Sequence, residues 1–151
     1  MKLAEALILR ADTMKRIQQL RERLVRSAQT PEGEKPPEDP QELLAEVSQM
    51  LAQYTDIVSR INRTNTATLF SDGKTVTDAL AERDTLSLER GLLESLLAAA
   101  TNQAYRYQRA EIKYVSTVSV ATIQKRMDDL ARRYRELDSA IQSLNWQIDL
   151  M

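Results

Sequence analysis

Residues 123–151, IQKRMDDLARRYRELDSAIQSLNWQIDLM, decide the fold class. Ile123, Met127, Leu130, Tyr134, Leu137, Ile141, Leu144, Ile148 and Met151 recur at alternating steps of four and three, the spacing of a coiled-coil seam. At a rise of ~1.5 Å per residue such a helix, predicted over about 120–149, is a rod of roughly 40 Å. Ser119 or Thr122 can cap its N-terminus, and one side of it must be covered by other apolar surface.

Three further stretches supply that cover. After Pro40, the positions Leu43, Val47, Met50, Tyr54, Ile57 and Ile61 repeat the spacing, flanked by Leu44, Leu51 and Val58, and predict a helix over about 41–66. Leu3, Leu7, Met14, Ile17, Leu24 and Ala28 predict one over about 3–28; Leu80, Leu86, Leu93, Leu96, Leu97 and Ala100 predict one over about 77–101. The expected fold is all-α: one domain over 1–151, with four long antiparallel helices as a bundle or as paired coiled-coil hairpins.

The connections differ in character. Residues 29–40 hold all four prolines and no large apolar residue, and read as an exposed, partly mobile loop. Residues 66–77 carry Asp72-Gly73 between Thr/Leu/Phe and Thr/Val residues, which predicts a small β-hairpin near 67–76. Residues 102–119 are rich in Tyr, Val, Ile and Thr and are expected to add extended structure near 104–116.

Composition narrows the chemistry. In 151 residues there are three Gly and four Pro, as in a helical chain, and 21 Lys and Arg against 22 Asp and Glu, a net charge of -1 that provides no field for nucleic acid or an acidic membrane. There is no Cys and no His. That removes thiolate nucleophiles, Cys or His metal ligands and His-based proton transfer, so no enzymatic activity, cofactor or metal is expected. Glu5 interrupts the apolar N-terminus, no signal peptide is read, and no run approaches the ~20 apolar residues of a membrane span. A soluble, cytoplasmic protein is expected.

Several polar patterns are of residue types that carry chemistry. Gly73-Lys74-Thr75 resembles the end of a phosphate-binding loop, but Thr68 stands where its first glycine belongs, and an Asp-Gly turn accounts for the stretch better. Asp128, Asp129, Glu136 and Asp138 lie off the seam of the last helix and lack the His of di-metal bundles; they read as a solvated face. Tyr105, Arg106, Tyr107, Arg109, Lys113 and Tyr114 interleave aromatics with cations, as single-stranded nucleic acid would require, although packing explains them more simply. Folding back at Asp72-Gly73 is expected to gather Arg60, Asn62, Arg63 and Asn65 beside Glu82, Arg83 and Asp84. Such a cluster can bind an anion through guanidinium forks, or can fix helix register or a subunit contact.

The stretches Arg60-Ile61-Asn62-Arg63-Thr64-Asn65, Asp72-Gly73, Ala79-Leu80-Ala81-Glu82-Arg83-Asp84, Arg133-Tyr134-Arg135-Glu136-Leu137-Asp138 and Asn145-Trp146 resemble a family of small bacterial proteins of uncharacterised function, some labelled septicolysin. The resemblance runs from Met1 to about Leu150 and implies no catalytic residues. The label implies a cytolysin, hence a membrane-active alternative. The leading expectation is a non-enzymatic structural or protein-interaction protein that forms a homo-oligomer, most simply a dimer, through apolar surface left on the C-terminal helix. Nucleic acid and membrane are not its expected partners.

Overall fold

The computed structural model describes residues 1–102 and 112–151. The protein is all-α, with four helices and one small antiparallel hairpin: α1 (Leu3–Arg26), α2 (Pro40–Ala67), β1 (Leu69–Ser71), β2 (Lys74–Thr75), α3 (Val76–Thr101) and α4 (Val120–Asn145). The chain divides into two compact units, Met1–Leu69 with Ser143–Met151, and Phe70–Gln142.

In the first unit, α1 and α2 lie antiparallel: Arg16 pairs with Glu46 at 2.7 Å and, further along α1, Arg23 Nε donates to Glu38 at 2.9 Å. The Arg23 hydrogen bond holds the Glu38 carboxyl below its ordinary range. Asp39 caps α2 by accepting from the Gln41 N–H at 2.8 Å, with Pro40 in the first helical turn, where its missing N–H costs nothing. Leu3 and Ala6 bury against Ile57 and Ile61, and Leu7, Val58, Ile148 and Leu150 close around them.

Two expectations are corrected here. On α1 the buried residues include Ala6, Thr13 and Leu20, whereas Met14 is 43% exposed and Ala28 lies beyond the helix on the surface. Ala6, Thr13 and Leu20 follow a seven-residue repeat, but a small and a polar member conceal it; the Thr13 hydroxyl is satisfied by donating to the Leu9 carbonyl at 2.8 Å. At the other end, α4 stops at Asn145 rather than running to 149, so Ile148 and Met151 are not helical. Ile148 and Leu150 stand two apart around exposed Asp149, and only extended backbone points both to one side. This segment pairs with the N-terminus: the Leu3 N–H donates to the Ile148 carbonyl at 3.0 Å and the Leu150 N–H to the Met1 carbonyl at 2.9 Å.

In the second unit, Asp72 (φ 34°) and Gly73 (φ 80°) make the positive-φ two-residue turn that an Asp-Gly hairpin requires. Thr75 then caps α3: its hydroxyl oxygen accepts from the Asp78 N–H at 3.2 Å, and the Asp78 carboxylate accepts from the Thr75 N–H at 2.8 Å. Ser119 caps α4, accepting from the Thr122 N–H at 3.3 Å. Arg83 to Asp138 and Glu89 to Arg126 tie α3 and α4 in antiparallel sense, since a later residue of α3 meets an earlier one of α4. Ile123, Leu130 and Ile141 of the predicted α4 seam are all buried. Of the extended structure expected near 104–116, residues 103–111 lie outside the described chain, and 112–116 form no strand.

Candidate functional site

Arg60, Glu82, Arg83 and Asp84, singled out in the sequence, each make side-chain contacts within their own unit. On the last turns of α2, Arg60 Nε donates to the Met151 backbone oxygen at 2.9 Å. Thr64, fully buried, donates its hydroxyl to the Arg60 carbonyl at 2.9 Å and accepts the Met151 N–H at 3.0 Å. The Arg60 Nε–H is therefore engaged by the residues after α4. Lys2 adds an ion pair to Asp149 at 2.8 Å, which holds that carboxyl below its ordinary range. Asn62 and Arg63 are exposed and Asn65 half-buried, and among the described residues their side chains make no hydrogen bond.

On α3, Glu82 pairs with Lys74 at 3.1 Å. Arg83 reaches Asp138 at 2.9 Å and Asp84 at 3.2 Å, with its side chain only 22% exposed. Burial pulls its pKa down, but the hydrogen bonds to Asp138 and Asp84 outweigh that and leave it raised. A guanidinium so enclosed fixes the register of α3 on α4. Asp138, expected on a solvated face, is the partner that this seam arginine needs. Thr64 also escaped the reading, because its role depends on a segment 87 residues away.

The other candidates distribute as follows. Gly73 makes the turn, Lys74 pairs with Glu82 and Thr75 caps α3, so each member of the phosphate-loop resemblance has a local role. Asp129 pairs with Arg132, which lowers its pKa, and among the described residues no group of three or more acidic side chains is placed to hold a metal. Tyr105, Arg106, Tyr107 and Arg109 lie outside the described residues; Lys113 and Tyr114 are exposed. No described helix is long and apolar enough to cross a membrane.

An apolar surface on α3 stands outside the sequence expectations. Leu88, Leu92 and Leu96 are 67%, 64% and 42% exposed, although Val76, Ala79 and Leu86 of the same helix are buried. At 100° per residue the two sets occupy different sides of one cylinder. Beyond Leu96 the surface continues into an open hollow of about 550 Å³ lined in part by Ala99, Ala100, Val115 and Val120. The outward residues of α4 contrast with this: Lys125, Asp128, Arg132, Glu136 and Ser139 are all exposed and polar. The signal was present in the sequence, in leucines at 88, 92 and 96 out of phase with the seam.

A model of the family of unknown function DUF6847 matches residues 10–150. The chain is also similar to a functionally unknown conserved protein from Corynebacterium diphtheriae whose crystal structure has been solved. The two share 44% identity and a TM-score of 0.93, over 100% of this chain and 99% of that one. No curated protein matches. The family description names no activity, so the cytolysin label of the sequence resemblance is not carried by it.

Proposed function

Starting from a chain that belongs to DUF6847, a family of unknown function, we propose a non-enzymatic, self-associating structural or protein-interaction protein of the cytoplasm. The supporting observation is the run of exposed leucines on α3. A helix apolar on both sides is normally covered on both. The α4 seam, from which self-association was first expected, does not support this reading as well: Ile123, Leu130 and Ile141 are already buried within the chain.

Light scattering over a range of protein concentrations tests the proposal. A mass of twice the 17.2 kDa chain, or a higher multiple, is expected; the single-chain mass throughout would overturn it. The cytolytic activity implied by the septicolysin label predicts liposome leakage at neutral or acidic pH, which the favoured reading does not. Binding of single-stranded nucleic acid through the 105–114 segment predicts a salt-dependent titration.

A further inference from the structure

We infer that one side of the α1 and α2 pair is a docking groove for an acidic amphipathic helix of another protein, held by Arg10 and Arg21 at the groove's edge. The inference concerns the first unit alone and goes beyond the self-association proposed above.

The two sides of this helix pair are finished differently. On one side, Arg16 pairs with Glu46 and Arg23 with Glu38. At about 100° per residue, Arg10 and Arg21 lie on a line of α1 roughly 140° from Arg16 and Arg23, with the buried Ala6, Thr13 and Leu20 between the two lines. Both arginines are exposed and, among the described residues, unpaired. Their own helix supplies no acid: the positions three and four away are Ala6, Leu7, Thr13 and Met14 for Arg10, and Ile17, Gln18, Leu24 and Val25 for Arg21. The facing side of α2 supplies none either. Its stripe of Leu44, Val47, Leu51, Thr55, Val58 and Asn62 is uncharged, and the acids of α2, Glu42, Glu46 and Asp56, all fall on the side of Arg16 and Arg23.

Charge specifies the occupant. The open side is apolar between its two cations, since Met14 and Val25 of α1 and Leu44 and Leu51 of α2 are all exposed. A partner that covers them also removes water from Arg10 and Arg21, and an arginine so desolvated needs a carboxylate. Eleven residues, about three turns, separate the two arginines, which places them roughly 16 Å apart on nearly one line. A helix laid along the groove, apolar at every third or fourth position, meets both with carboxylates at the same spacing. Beside Arg21 lies an open hollow of about 490 Å³ lined by Gln18, Arg21, Glu22, Val25 and Arg26, with two cations to one acid.

Other occupants fit less well. The same face of a second copy would set arginine beside arginine, and like charges across a contact are repulsive. A nucleic-acid backbone answers the arginines but leaves Met14, Leu44 and Leu51 uncovered. Helices that lie on an anionic bilayer carry their cations on the polar face, whereas Arg10 and Arg21 stand within the apolar stripe.

A pair of synthetic helices tests the groove. Each is a fluorescent peptide of about 21 residues with leucine at every third or fourth position of one face; one carries glutamate, the other lysine, at two positions eleven apart beside that face. By fluorescence anisotropy the full chain should bind the glutamate peptide about tenfold tighter than the lysine peptide. The double variant Arg10→Glu with Arg21→Glu should invert that order, with unchanged helicity by circular dichroism because both positions are exposed. Leu51→Ser should weaken binding of the glutamate peptide. Equal binding of the two peptides, binding of neither, or a double variant that still prefers glutamate would overturn the inference. Phosphatidylglycerol vesicles that sediment the wild type but not the double variant would overturn it in favour of a lipid surface, and a light-scattering mass that falls on charge reversal would overturn it in favour of a second copy. Self-association and this groove fail on different readouts, the first on the wild-type mass and the second on peptide preference.

Discussion

Helices α3 and α4 are each 26 residues long and share one unit, yet their outward sides are opposites. On α4 a single stripe, Ile123, Leu130 and Ile141, is buried, and the far side is charged. On α3 the buried stripe of Val76, Ala79 and Leu86 is accompanied by Leu88, Leu92 and Leu96 on the surface. An amphipathic helix needs one partner surface, whereas a helix apolar around most of its circumference needs two. The difference lies in residue placement rather than length, and it marks exposed hydrophobic surface on α3, besides that left by Ile8, Leu9 and Val25 on α1 and by Leu44 and Leu51 on α2.

The comparison breaks most visibly under core truncation. Leu130→Ala on α4 should cost about 2–5 kcal/mol in urea unfolding, because Leu130 is 2% exposed and its loss leaves a cavity. Leu88→Ala on α3, measured under conditions where the chain is monomeric, should cost under ~0.5 kcal/mol, the value for an ordinary surface position. Equal losses at the two positions would remove the distinction between the stripes.

A smaller effect is expected at the tie between the helices. Asp138→Ala leaves Arg83 partly buried without its best partner, and about 1–2 kcal/mol should be lost, tempered by the solvent that reaches both groups. Asp84→Ala should do much less, because Asp84 is 72% exposed. Smaller still, Gly91→Ala should stabilise the monomer by about 0.5–1 kcal/mol, since among the described residues the new Cβ meets nothing within 4 Å.

The last effect concerns pH. The Thr75 backbone and side-chain hydrogen bonds lower the Asp78 pKa, so their contribution to stability is present above the ordinary carboxylate range and is lost as pH falls through the depressed folded value. Unfolding curves across that window should flatten in Asp78→Asn relative to the wild type. An unchanged acid limb would argue that the cap contributes nothing.

How much of this was legible follows from the range of each interaction. The α2 seam from Leu43 to Ile61 and the Asp72-Gly73 turn were legible because each is written in consecutive residues. The start of α3 lies one residue earlier than expected because Thr75 and Val76 favour strand as readily as helix, and only the Thr75 and Asp78 pairing decides it. Ala6 and Thr13 were overlooked in the α1 core because neither is large and apolar. The polar sites were least legible. Asp138 and Thr64 acquire their roles from Arg83 and Met151, distant in the chain, and no local pattern marks them.

The most direct measurement of the central claim, that α3 carries surface meant for a second copy, is the urea midpoint at several protein concentrations. A dimer that dissociates as it unfolds should gain about 1.4 kcal/mol of apparent stability per tenfold increase in concentration, and Leu92→Glu should abolish that dependence. A wild-type midpoint that does not move with concentration would contradict the account.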